Sequence, residues 1–324
     1  MAERPFIRLM ALLAGAVLLA MLLSLLLSPG GTLHWPNQGW QWQLLLEVRL
    51  PRTLLTLLCG ASLGLAGAAL QGYLHNPLAE PGLLGISSWA GLGAVLVFYF
   101  GPVATLAWWL PAGGIIGALI SLTALSWLAG RHPSVSLFIL AGVALASLGG
   151  ALMSLALNLA PNPFAALEVI FWLLGSTADR SLEQVLLILP PVLLGNLLLL
   201  RLGPALYAWS LGQEAATSLG INPHWLRRQI LLGCGLSVGS CVAMSGGIGF
   251  VGLVVPHLLR PWLRQRPDAL LAASALGGAL LLLLADLGVR LLPTGTELKL
   301  GVLTALIGAP VFFQLLLQKK RELW

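Results

Sequence analysis

The chain has 324 residues, of which 58% are hydrophobic and 9% charged, with a formal net charge of +6 and a mean hydropathy of +0.93. So little polar surface cannot clothe a soluble globule, and apolar runs of membrane-helix length recur throughout, which predicts an all-α polytopic membrane protein. Unbroken apolar blocks such as Leu44 to Leu46, Leu197 to Leu200 and Leu280 to Leu284 exclude the alternating pattern of a transmembrane barrel. Cys59, Cys234 and Cys241 lie inside apolar runs, with no Cys-x-x-Cys spacing or histidine cluster, so neither a disulfide framework nor a metal site is expected.

Spans of roughly 17 to 25 residues are expected at about ten places. The first, Leu9 to Ser28, follows Arg4 and Arg8; its core is too long for a signal peptide and no Ala-x-Ala site follows, so it is expected to be retained. Arg49-Leu50-Pro51-Arg52-Thr53 leads into the second, Arg52 to Tyr73, and Asn76-Pro77-Leu78-Ala79-Glu80-Pro81-Gly82-Leu83-Leu84-Gly85 leaves it. The next four run from Gly82 to Phe100, Leu110 to Ala129, Leu137 to Ala160 and Leu182 to Leu200. Between Gln229 to Gly246 and Gly247 to Leu263, the punctuation Ser245-Gly246-Gly247-Ile248-Gly249 divides a stretch too short for two full spans, so one helix there is expected to be truncated. Ala269 to Leu292 and Leu300 to Gln318 complete the set. The small-residue runs Gly60 to Gly67 and Gly233 to Ser240 resemble each other, each followed by a Gly-x-x-Gly lead-in, consistent with an inverted repeat of spans two to five and seven to ten.

Ten crossings with the N-terminus inside place twelve of the 17 lysines and arginines in the cytoplasm and leave Arg49, Arg52, Arg180, Arg290 and Lys299 outside. The bias predicts cytoplasmic termini, and the positive charge then reflects topology rather than nucleic acid. Residues 208–229 are polar enough to leave the bilayer: a helical run through Leu211-Gly212-Gln213-Glu214, a stop at Leu219-Gly220 and a new start at Asn222-Pro223 predict a two-helix knob at the inner face. No Gly-x-x-x-x-Gly-Lys-Ser/Thr loop occurs, so the chain has no phosphate cradle of that kind.

Four blocks occur in an order that resembles one family: Arg49 to Gly85, the Leu-Gly-Gln-Glu segment, Ser245 to His257, and Glu297 to Phe312. The chain resembles the permeases of bacterial ABC importers for cobalamin, ferric siderophores and haem, with Asn76 to Gly85 and Ala309-Pro310-Val311-Phe312 most like the cobalamin type. The resemblance implies one permease domain over residues 1–324 in the inner membrane, no cofactor and no catalysis of its own. It implies a homodimer, two cytoplasmic ATPase subunits, a periplasmic binding protein and cobalamin as substrate, with a ferric siderophore or haem as the alternative. By similarity Arg49, Arg52 and Arg290 would meet glutamates of the binding protein, Glu214, Leu219 and Gly220 would couple to the ATPase, and Ser134, Val135 and Ser136 would form the cytoplasmic gate. Val135 departs from related cobalamin permeases, which carry a hydroxyl there, and Ser134 and Ser136 have a plainer use as helix caps.

An ion-coupled secondary transporter would need an ionisable group at the bilayer midplane, for which Asp286 is the candidate, though Arg290 four residues on offers it an ion pair. An intramembrane enzyme would need a nucleophile and base, or a metal constellation, and no such set stands out. His257 reads as a structural histidine, and Trp35, Trp40, Trp42, Trp108 and Trp109 read as an interfacial belt.

Overall fold

The computed structural model describes residues 3–27, 32–33, 35–101, 106–130, 134–263, 266–292 and 297–322. Among the described residues fourteen α-helices follow one another and the β-pairing is a single bridge between Leu27 and Leu33. They are α1 (Glu3–Leu26), α2 (Gly39–Leu44), α3 (Leu50–Leu74), α4 (Ile86–Phe100), α5 (Leu106–Ala129), α6 (Val135–Asn158) and α7 (Pro163–Leu173). Then come α8 (Leu182–Leu200), α9 (Gly203–Ser210), α10 (Gln213–Ser218), α11 (Pro223–Ser245), α12 (Val251–Leu259), α13 (Pro267–Leu291) and α14 (Leu300–Glu322). Each of the ten predicted intervals contains a helix. Among the described residues, six continuous helical stretches are long and apolar enough to cross a membrane, and four more apolar helices are shorter.

Several boundaries differ from expectation, α1 and α11 each starting ahead of the expected residue, and three of the differences have a local reason. The second span does not begin at Arg52, because α2 and a π-helical turn over Leu45–Arg49 run into α3 without a break. Pro51 brings no backbone donor, and the wider turn just ahead of it, closed by the Leu50 N–H on the Leu45 carbonyl, lets the helix continue past the proline. The third span starts a turn late: Pro81–Leu84 is 3₁₀, Gly85 takes φ +76°, and α4 begins only at Ile86. The eighth is the truncated one, with nine residues in α12 extended by a 3₁₀ turn over Arg260–Leu263. Helix α7 was not expected at all, since eleven residues are too few to be read as a span.

Helix α3 is the centre of the molecule, buried against α13, α11, α12 and α8. Its glycine stripe explains how. A Cβ on Gly64 would fall 2.1 Å from the Ser274 carbonyl of α13, and one on Gly67 would fall 1.9 Å from the Gly252 carbonyl of α12. Only hydrogen at these positions lets the backbones touch, and in lipid such contact replaces the hydrophobic drive that a soluble core would use. Gln71, one turn on, finishes the α3–α12 seam: its amide donates to the Gly252 and Leu253 carbonyls at 3.2 and 3.4 Å, and Arg260 donates to its oxygen at 2.8 Å.

Candidate functional site

Three groups of residues carry the functional expectations, and the structure puts them in different environments. The arginines expected outside the membrane converge on one carboxylate. Asp286 of α13 is 1% exposed and accepts from Arg52 of α3 through Nε at 2.8 Å and Nη2 at 2.7 Å, while its other oxygen accepts from Arg290 one turn along. Arg52 also pairs with Glu297, just ahead of α14. Arg290 donates to the Ser24 carbonyl at 2.8 Å and Arg49 to the Leu25 carbonyl at 2.9 Å, so both arginines cap the last turn of α1, where the helix dipole favours a cation. Asp286 is therefore paired twice over. Arg52 and Arg290 are mostly buried, at 13% and 9% exposure of their side chains, and Arg49 is half-buried.

At the opposite end of α3 and α13 the chain turns through two short helices, α9 and α10, but the start expected at Asn222-Pro223 opens the long helix α11 rather than a second short helix of a knob. Gly212 turns the chain at φ +108°, and α10 stops in a Schellman motif: the Gly220 N–H bonds the Thr217 carbonyl at 2.9 Å, and the Ile221 N–H bonds the Ala216 carbonyl at 3.0 Å. Gly220 sits at φ +87°, the left-handed position that motif needs. Asn222 then caps α11, its Oδ1 accepting from the His224 and Trp225 N–H groups. Ala216 alone anchors α10 inside, whereas Glu214, Leu219 and Gly220 face outward and Leu219 is 64% exposed.

Ser134, Val135 and Ser136 are exposed at the start of α6. Ser134 does serve as a cap, its hydroxyl accepting from the Leu137 N–H at 3.2 Å. Arg131, His132 and Pro133 of the same loop lie outside the described residues, as does Arg264.

A fourth feature was missed. Leu173, Leu174, Gly247, Val302, Leu306 and Phe313 are among the residues lining an open furrow of roughly 970 Å³ between the end of α7 and one face of α14. Its floor is a main-chain junction: the Ser176 N–H bonds the Ser245 carbonyl at 2.7 Å, and the Gly301 N–H bonds the Gly175 carbonyl at 3.1 Å. On the far side of α12, the Glu80 carboxylate accepts from the Phe250 N–H, and burial pushes that carboxyl above its usual range.

Residues 9–318 match the FecCD transport family. The chain belongs to that family. Curated relatives include the vitamin B12 import system permease protein BtuC of Salmonella typhi, 41% identical over 98% of both chains, and that of Salmonella newport (strain SL254), 40% identical over the same shares. A solved inward-facing structure of a metal-chelate type ABC transporter superposes with a TM-score of 0.87 at 32% identity, covering 96% of this chain and 99% of that one. The FecCD assignment extends over α1 to α14, so it includes the arginine network, the two short helices α9 and α10, the start of α6 and the furrow.

Proposed function

We propose that the chain is the membrane-spanning permease subunit of a binding-protein-dependent ABC importer for cobalamin. The observation that carries this reading is the relatedness to vitamin B12 permeases along almost the whole chain. The chain crosses the inner membrane ten times with both termini cytoplasmic, as one permease domain, and two copies assemble with two ATPase subunits that supply ATP hydrolysis. A ferric siderophore or haem is the second reading, favoured by the metal-chelate type neighbour.

Several observations support the parts. The helix following the first member of each half is short, fifteen residues in α4 and nine in α12, which suits an inverted repeat of α3 to α6 and α11 to α14. The furrow along α14 fits one wall of a substrate path completed by a second copy, with Ser134, Val135 and Ser136 at its cytoplasmic gate. The exposed Glu214, Leu219 and Gly220 suit insertion into an ATPase cleft, and residues 208–229 are the coupling segment. The cationic end formed by Arg49, Arg52 and Arg290 suits carboxylates of a periplasmic binding protein. The test is uptake into vesicles holding the permease with its ATPase and binding protein: ATP-dependent accumulation of labelled cobalamin is expected, and uptake of ferric siderophore without cobalamin would replace the substrate assignment.

A further inference from the structure

Near the ends of α4, α5 and α7 lies a partly open cavity of roughly 80 Å³ that plays no part in the reading above. Its walls are mostly apolar, from Val95, Phe98, Leu110 and Trp172, but two charged side chains also line it: Glu168 on α7 and Arg180 in the connector to α8. Arg180 is the anomaly. Its Nε is buried and has no hydrogen-bond partner among the described residues, and no ion pair reaches its guanidinium there. Burial lowers its pKa from the ordinary value, against the through-space attraction of Asp179 and Glu168, neither of which pairs with it among the described residues. A second orphan lies beside Phe98: the buried Tyr99 hydroxyl also lacks a partner among the described residues.

Desolvating a guanidinium without giving it an acceptor is costly, and an unsatisfied buried donor beside empty space marks a place where an acceptor belongs. A phosphate or carboxylate oxygen meets the fork of an arginine well. The second charge narrows the class, because Glu168 would repel a simple anion yet neutralise a cation lying a few atoms from the phosphate. The apolar walls narrow it again: a soluble zwitterion would leave them bare, whereas a lipid places glycerol and the start of its acyl chains against them. We infer that this cavity binds the headgroup of a phosphatidylethanolamine, with Arg180 holding the phosphate and Glu168 the ammonium. The lipid would lie in the outer leaflet, a placement that rests on the ten-span topology proposed above.

The experiment is native mass spectrometry on the assembled permease–ATPase complex extracted from nanodiscs of equimolar phosphatidylethanolamine, phosphatidylglycerol and phosphatidylcholine. Preferential retention of phosphatidylethanolamine is expected. Arg180→Gln should lower that retention about tenfold, the loss of one charge-assisted hydrogen-bonded contact, and Arg180→Lys should recover part of it. Glu168→Gln should abolish the preference for the ethanolamine headgroup over the other two while leaving total lipid retention unchanged, a split that a misfolded variant would not give. Equal retention of all three lipids by the parent, or unchanged retention in Arg180→Gln, would overturn the inference. Displacement of the lipid by free inorganic phosphate or O-phosphoethanolamine would overturn its lipid source. The topology is tested separately with an Arg180→Cys variant: labelling by a membrane-impermeant maleimide only in inverted vesicles would sink the outer-leaflet placement while leaving the lipid preference standing.

Discussion

Replacing Asp286 by asparagine is the sharpest test of what holds this end of the bundle together. The parent carboxylate is 1% exposed and neutralises two guanidiniums that each donate to it, Arg52 through two nitrogens and Arg290 through one. Asparagine keeps the shape, removes the charge and leaves two cations facing each other. At roughly 4 Å and an effective dielectric constant of about 20, each lost attraction between carboxylate and guanidinium is about 4 kcal/mol, offset in part by the desolvation that a neutral side chain does not incur. Breaking a buried ion pair from one side typically costs about 3 to 5 kcal/mol, a similar figure. Glu297 offsets a little of it, but at 42% side-chain exposure and on Arg52 alone it is a screened partner. Reversible unfolding in mixed micelles should therefore show Asp286→Asn destabilised by about 3 kcal/mol, and adding Arg290→Met should return a good part of the loss by removing one of the cations. A single variant within about 1 kcal/mol of the parent, the scale of an ordinary hydrogen bond, would refute the idea that this carboxylate holds the network.

Gly67→Ala should destabilise the protein by about 1 to 3 kcal/mol, because its Cβ would lie 1.9 Å from a backbone oxygen that no rotamer change can move, whereas Gly15→Ala, with nothing within 4 Å, should be neutral or better; thermal stability in detergent separates them. The Glu80 carboxyl is raised by burial, so its protonated form is favoured on folding, and that contribution is lost as pH rises through its folded value. Glu80→Gln should accordingly be more stable than the parent at neutral pH, with the difference vanishing below about pH 4, the range of an unperturbed glutamate; unfolding midpoints measured across that range check the sign. Arg49→Glu should slow association with the binding protein about tenfold at low salt and less as salt rises, and stopped-flow mixing would show no change if Arg49 only caps α1.

Much of the architecture could be read without coordinates because the signals were local. Apolar blocks marked ten helices, the i, i+4 spacing of Asp286 and Arg290 foretold their pairing, and the Gly220 stop of α10 and the Asn222-Pro223 start of α11 follow from φ preferences and capping. What escaped depended on distance along the chain or on short length. Arg52 and Asp286 are 234 positions apart, and nothing in the spacing of either says that they meet. Nothing beside Arg260 in the sequence points to its partner Gln71, 189 positions away. Helix α7 lacks the length of a span and carries Glu168, so its apolar faces gave no period long enough to notice.

The junction beneath the furrow has a consequence for how such a protein diversifies. Ser245 and Gly175 accept there, and Ser176 and Gly301 donate, all through main-chain atoms, so the frame joining α7, α11 and α14 is indifferent to side-chain chemistry. The furrow's surface is the reverse, built from the side chains of Leu173, Leu174, Val302, Leu306 and Phe313. Changing the lining can alter what the wall accepts while leaving the scaffold that positions it untouched. The same separation confines intolerance to a few backbone contacts: a methyl group at Gly301 would stand 2.3 Å from the Leu174 carbonyl and 2.4 Å from that of Gly247, pressing on two strands of the frame at once.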